Sequence, residues 1–379
     1  MVMGTTGSAG DTRGSDAAYP ADRKPVGHSG GDRTVSPLVK VLLAVLALVF
    51  TLGLTFASVE LPLWVSKVLV EKTDAPGFDA TYHPEETEAF LDSHHLRLIG
   101  GAGLVLTVGL IAAGLAAERR GLAAAGAVLF FLPVFGQFAA SMFFLAGLAI
   151  LRVVWLPILD LSHELMALGD VVYLPYAAVV YPFVVAGLDV RDWLPWAVMA
   201  GGIALFVGST LTWLIARFEG RGVADSWLYR ISRHPQYLGW IVWSYGLLLY
   251  VLRHSELYHF KIRWGMPSSL PWLVATLVIV GVAMIEEIRM TATEGDAYTS
   301  YRHRTPFLMP LPGWLRRATA TPMRLVLPGA WPKNGRQVAL VIGVYMAILV
   351  AASVPFVVFD WPPRIGWWGF PYNVWPFAH

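Results

Sequence analysis

The chain has 379 residues, 56% hydrophobic and 14% charged, a balance that excludes a soluble domain with a large core and reads as an integral membrane protein. The formal net charge of +2 is too small to argue for nucleic acid, and the absence of cysteine excludes disulfides, thiolate catalysis and Cys-ligated metals. Arginine outnumbers lysine 22 to 6, which hints at a GC-rich bacterial genome and hence a bacterial plasma membrane.

Residues 1–36 are rich in Gly, Ser, Asp and Pro without apolar periodicity and read as a disordered tail. Residues 37–216 read as an N-terminal transmembrane bundle. Its first run, Leu38 to Ser58, is long enough to span and lies too deep in the chain for an ordinary cleaved signal, so it reads as an anchor. Glu60 to Arg97 is a polar, acidic outer loop. His83, His94 and His95 with Glu85, Glu86 and Asp92 are potential metal ligands there, but no H-E-x-x-H spacing occurs, and a solvated loop without metal is expected. Leu98 to Ala117 is the second span, closed by Glu118-Arg119-Arg120.

Leu122 to Leu159 would be about 57 Å long as one helix, against a hydrocarbon core of ~30 Å. Pro133 and Gly136 offer a break, so two short spans are expected. Asp160, His163 and Glu164 follow at the i, i+3, i+4 spacing of one helix face; they suit either an acceptor pocket or, preferred here, a plain loop. Val171–Leu188 and Trp193–Ala216 form a hairpin of spans, followed by apolar runs at Trp240–Leu252, Pro271–Ile285 and Val338–Phe359. A tail holding Trp361, Trp367, Trp368 and Trp375 reads as an interfacial belt.

Basic residues favour the cytoplasmic side. Arg13, Arg23, Lys24 and Arg33 put the N-terminal tail inside, and splitting 122–159 brings Arg217, Arg221, Arg230, Arg233 and the 286–336 segment to the same side. Arg253, Lys261 and Arg263 fall opposite and count against it. The expected fold is all-α, a polytopic transmembrane helical bundle of about nine spans with a C-terminal cytoplasmic lobe.

Residues 217–312 carry the chemistry. Tyr229 to Trp240 reads Y-R-I-S-R-H-P-Q-Y-L-G-W, directly before one apolar run, and a second run ends in Glu286, Glu287 and Arg289, followed by Tyr298, Tyr301, Arg302, Arg304 and Pro306. Pro235 suits a first helical turn and keeps His234 out of the helix, while Gly239 permits a close approach to the backbone. Read singly, these are ordinary boundary residues: basic topology signals and interfacial aromatics. Residues 313–379 are read as a cytoplasmic segment, a last span and the aromatic tail.

As an ordered set these elements resemble the isoprenylcysteine carboxyl methyltransferase family, whose C-terminal part carries R-H-P-x-Y-x-G-W, a W-S-x-G helix, E-E and Y-x-x-Y-x-x-x-x-P. Here they are Arg233-His234-Pro235-Gln236-Tyr237-Leu238-Gly239-Trp240, Trp243-Ser244-Tyr245-Gly246, Glu286-Glu287, and Tyr298 through Pro306. The resemblance covers about residues 226–312. Trp227-Leu228 stands where the family usually has Gly-Pro, and the connection from Arg253 to Leu270 is long.

The resemblance implies a membrane-embedded methyltransferase that uses S-adenosyl-L-methionine on a lipophilic or lipid-linked acceptor. Its donor pocket would be open to the cytosol, and the acceptor would enter from the bilayer. It implies roles for Arg233, Glu286 and Glu287 in catalysis, and for His234, Pro235, Tyr237, Leu238, Gly239, Tyr298 and Tyr301 in donor binding. An NADPH-dependent reductase of the sterol-reductase type shares an R-H-x-x-Y-x-G element. That type typically continues with Asp, where Trp240 stands here, and carries an R-D-E with a later Cys. A non-catalytic membrane scaffold is the third reading.

Overall fold

In hydrocarbon every backbone N–H and C=O needs an internal partner, so long apolar runs fold as helices. A computed structural model of the chain describes residues 35–73, 84–136, 150–257, 269–329 and 331–358, and its regular structure there is helical throughout. The elements are α1 (Pro37–Thr73), α2 (Pro84–Ser93), α3 (Leu96–Ala116), α4 (Arg120–Gly136), the single turn α5 (Leu156–Leu159), α6 (Leu174–Val185), α7 (Leu194–Phe218), α8 (Pro235–Leu257), α9 (Ser269–Arg304), α10 (Gly313–Val326) and α11 (Gly335–Val358).

Among the described residues five helices are long and apolar enough to cross a membrane: α1 up to Ala57, α3, α7, α9 and α11, with α4 and the stretch Asp170–Val185 as shorter apolar helices. α8 encloses the expected run Trp240–Leu252. The helix expected to stop at Ser58 runs on to Thr73, because Glu60 is a good helix former and the apolar residues resume at Leu61 and Trp64. At 37 residues α1 is about 55 Å long, more than a bilayer core, so its C-terminal part continues beyond it. The acidic loop likewise contains α2.

In the 122–159 region α4 passes through Pro133 and ends at Gly136. Residues 137–149 lie outside the described chain, as do residues 1–34, His83, most of the long connection before α9 and the tryptophan-rich tail. On the far side of that break Ile150–Trp155 is a 3-10 stretch leading into α5. Asp160 caps α5 and a separate 3-10 turn spans His163–Ala167, so Asp160 and Glu164 do not share one helix as their spacing suggested. Asp160 instead accepts from Arg97 Nε at 3.2 Å.

α9 is the central helix. Its most apolar stretch is 67% buried, against 17–28% for the other four spans, whose outward faces carry the exposed Leu, Val and Phe of a lipid-facing surface. α7 and α8 pack along their lengths through small residues. A Cβ on Gly202 would lie 2.3 Å from the Trp243 backbone nitrogen, and one on Gly239 would lie 2.8 Å from that of Phe206. Such close backbone approach is what small residues supply between membrane helices.

Polar ties hold the bundle at the end of α9 away from its two glutamates. Ser269 Oγ donates to Asp170 Oδ1 at 2.6 Å, Val171 N–H to Ser353 Oγ at 3.2 Å, and Tyr245 Oη to the Val172 carbonyl at 2.8 Å. At the opposite end Gly335 N–H donates to Glu118 Oε1 at 2.9 Å, fastening the start of α11 to the α3–α4 turn. Arg289 of α9 reaches the Glu118 carbonyl there. The Arg233 and Glu287 motifs therefore lie at this second end.

Candidate functional site

Pro235 opens α8, where a missing N–H costs nothing, and the loop before it is fixed by hydrogen bonds. His234 N–H donates to Ser232 Oγ at 3.1 Å, and Arg233 N–H donates to the Pro306 carbonyl at 2.9 Å. Tyr301 Oη donates to the Tyr229 carbonyl at 2.7 Å. The two motifs, some seventy residues apart in the chain, are thus laced together through main chain as well as side chains.

Glu287 is fully buried, and three cationic or potentially cationic groups converge on it. Arg233 Nη1 is 2.7 Å from Oε1, His234 Nε2 is 3.2 Å from the same oxygen, and Arg302 Nε is 3.5 Å from Oε2. Taking a carboxylate fully out of water costs several kcal/mol, which only such a ring of partners offsets. Burial holds the Arg233 guanidinium below its ordinary pKa, while Glu287 pulls it back up. Two arginines facing one carboxylate leave an excess of positive charge.

Aromatic rings wall the cluster. Arg233 Cζ lies 5.6 Å from the Phe307 ring centre and 5.8 Å from that of Trp331, and Arg302 Cζ lies 4.4 Å from Trp331, all within cation–π range. Phe307 also meets His234 edge-on with ring centres 5.1 Å apart.

The cluster is incompletely satisfied. Arg233 Nε and Nη1, Glu287 Oε2 and Trp331 Nε1 are all buried without a hydrogen bond, although Arg233 Nη1 is in ion-pair range of Glu287. At 2.7 Å the charges attract, but the N–H is not aligned for a hydrogen bond. Buried orphan donors and acceptors are rare in proteins and mark places where another group is accommodated.

Glu286, one residue earlier on α9, is a third exposed. It accepts from Tyr237 Oη at 2.9 Å and sits 3.6 Å from Arg120 of α4. α9 then bends at Gly295, whose φ of 54° and ψ of −125° lie outside the helical region. Tyr298 and Tyr301 follow the bend on a common buried face, ring centres 5.9 Å apart.

The structure thus brings together Arg233, His234, Tyr237, Glu286, Glu287, Tyr298 and Tyr301. Leu238 and Gly239 stand apart from the polar contacts: Leu238 is half-buried, and the close approach expected at Gly239 is made by α7. Arg230, His303 and Arg304 are exposed. Sequence reading did not single out Arg120, Phe307 or Trp331. Arg120 looked like the close of a span, and no spacing signal distinguished Phe307 or Trp331. Among the described residues no group of three or more His, Asp or Glu is placed to hold a metal ion.

Fold and site together define a helical, membrane-type protein with a buried Arg233–Glu287 pair joined by half-buried Arg302 and walled by aromatic rings, at one end of the bundle. A family of unknown function, DUF1295, matches residues 177–305, that is 129 of the 379 residues. That stretch holds α7, α8 and α9 with Arg233, Glu286, Glu287, Tyr298 and Tyr301, and leaves out Arg120, Phe307 and Trp331. Neither a curated protein nor a solved structure matches the chain.

Proposed function

We propose that this chain is an integral membrane methyltransferase that moves a methyl group from S-adenosyl-L-methionine to a lipophilic acceptor, working at the cytoplasmic end of the bundle. The observation that carries the reading is the set of buried polar atoms without a hydrogen bond at Arg233, Glu287 and Trp331. The donor has both a carboxylate and an ammonium group, and this cluster has spare donors and a spare acceptor. The excess positive charge of Arg233 and Arg302 suits the carboxylate, and Glu287 Oε2 suits the ammonium. His234, Tyr237, Tyr298 and Tyr301 offer ring faces and hydrogen bonds for the rest of such a molecule.

When bound, the donor supplies a methyl carried on a sulfonium. The protein's part is to align, desolvate and bias charge. Glu286 stands beside the buried cluster and in contact with solvent, held by Tyr237 and within ion-pair range of Arg120. Tyr301, anchored to the Tyr229 carbonyl, and Tyr298, packed against its ring, lie beyond Gly295 and exclude water from the Arg233 side. A lipophilic acceptor would reach this end of the bundle from the bilayer, past the exposed apolar faces of the spanning helices.

One other activity remains in competition. DUF1295 is commonly linked to membrane proteins like steroid 5-alpha reductase as well as to ones like isoprenylcysteine methyltransferase, which keeps an NADPH-dependent reductase as the second reading. Thermal unfolding of the detergent-solubilised protein with each ligand separates them. At a hundred times its dissociation constant a ligand adds about 2.7 kcal/mol. S-adenosylhomocysteine is expected to raise the unfolding temperature and NADPH to leave it unchanged; the reverse pattern makes the protein a reductase.

A further inference from the structure

Between the site and the last span lies a helix that the methyltransferase reading does not use. α10 reads G-W-L-R-R-A-T-A-T-P-M-R-L-V and contains no acidic residue. Trp314, Ala318, Thr321 and Leu325 recur at intervals of four, three and four, so they form one stripe along the helix. That stripe is open: Trp314 is 71% and Leu325 82% exposed. Arg317 and Arg324 flank it on one side, whereas Arg316 lies on the opposite face, and all three are exposed. Met323, with Leu327 just past the helix end, turns the other way into the core.

The depth of the helix explains why an apolar stripe stands open. Tyr345 Oη donates to the Thr319 carbonyl. Tyr345 sits ten residues into α11, roughly 15 Å along the axis from Gly335, and helix side chains lean back toward the N-terminus by several ångströms. Gly335 is itself tied to Glu118 and so marks the end of the bundle where the polar site lies. α10 is therefore fastened below that end, against α11, a helix long and apolar enough to span.

Charge supplies the second observation. From Ala297 to Phe359 the chain has no Asp or Glu, yet it carries Arg302, Arg304, Arg316, Arg317, Arg324, Lys333 and Arg336. Arg302 is spent on Glu287. Arg317 and Arg324 lie beside an apolar stripe on a helix packed against a spanning helix, the pattern of a helix lying in a membrane interface. We propose that α10 is an in-plane anchor whose stripe enters the bilayer and whose Arg317 and Arg324 bind the headgroups of acidic phospholipids. Its two ends lead straight to Phe307 and Trp331, so lipid binding here steadies the aromatic wall of the Arg233–Glu287 cluster.

The natural absence of cysteine makes the test clean. The full chain with Leu325→Cys, or Ser300→Cys as a comparison, is labelled with an environment-sensitive fluorophore and placed in lipid nanodiscs. The discs contain phosphatidylcholine alone or a mixture with phosphatidylglycerol, plus lipid spin-labelled near the headgroup. In the acidic discs the probe at 325 should be quenched by the spin-labelled lipid and shielded from aqueous iodide, with the opposite at 300. Changing Arg317 and Arg324 to Gln should weaken this lipid contact by roughly fivefold per arginine at low salt. Changing both to Lys should preserve it, which separates lost charge from lost folding. Equal iodide access at 325 and 300 overturns the proposal, and so does lipid contact that is identical in discs without phosphatidylglycerol.

Discussion

Glu287 is the residue on which the site depends, because Arg233, His234 and Arg302 all converge on its buried carboxylate. Removing it leaves Arg233 buried beside Phe307 and Trp331 without a counter-charge. We expect Glu287→Ala to cost about 3–5 kcal/mol of stability, the usual result of orphaning one member of a buried pair. Glu286→Ala, at a group a third exposed, should cost about 1 kcal/mol or less. Thermal unfolding of the two variants side by side checks the contrast, and comparable losses would contradict it. Trp227 offers a second comparison at this scale. Its φ of 48° is left-handed, and it stands where the resembling family has glycine. Because a side chain there costs about 1–2 kcal/mol of strain, Trp227→Gly should be neutral or stabilising. A clear loss of stability would show that the exposed indole has a contact of its own. The motif pair was legible in the sequence because both halves are short, local and end at apolar runs. The wall around it was not: Phe307 and Trp331 reach Arg233 only through the fold, and nothing in their neighbours marks them.

At the scale of elements, apolar run length gave most helices, since a chain in lipid has little choice but to close its own hydrogen bonds. Boundaries were less legible. Glu60 looked like the start of a loop, yet one charge does not end a helix whose following residues are good helix formers, and α1 continues to Thr73. Gly239 looked like a place for a ligand to approach the backbone, and the partner that approaches is α7. That contact sets a prediction. Gly202→Leu and Gly239→Leu should each separate α7 from α8 and destabilise the protein by several kcal/mol, since the obstructing atoms are backbone and cannot move aside. Gly101→Leu, where nothing lies within 4 Å, should be tolerated. Unfolding temperatures in one detergent decide it, and equal tolerance at all three positions would mean the interface is looser than its geometry.

At the scale of the whole molecule, five apolar helices establish a membrane-type bundle among the described residues, while orientation rests on the distribution of basic side chains. Cysteines introduced at Ser226 and Ser300 should react with an impermeant reagent from the same side, the cytoplasmic one; reaction from opposite sides would contradict the packing of Tyr229 against Tyr301. The central claim is that Arg233 and Glu287 hold a donor carrying both a carboxylate and an ammonium group. Calorimetric titration of S-adenosylhomocysteine into the folded wild-type protein and into folded Arg233→Lys tests it most directly. Lysine keeps the charge that a topology signal needs but loses the planar fork that now lies between Glu287, Phe307 and Trp331. A lost charge-assisted hydrogen bond of ~1.5–3 kcal/mol corresponds to roughly ten- to a hundred-fold weaker binding. The account predicts saturable binding to the wild type and a loss of that size in Arg233→Lys; no binding to the wild type, or equal affinity in both proteins, would contradict it.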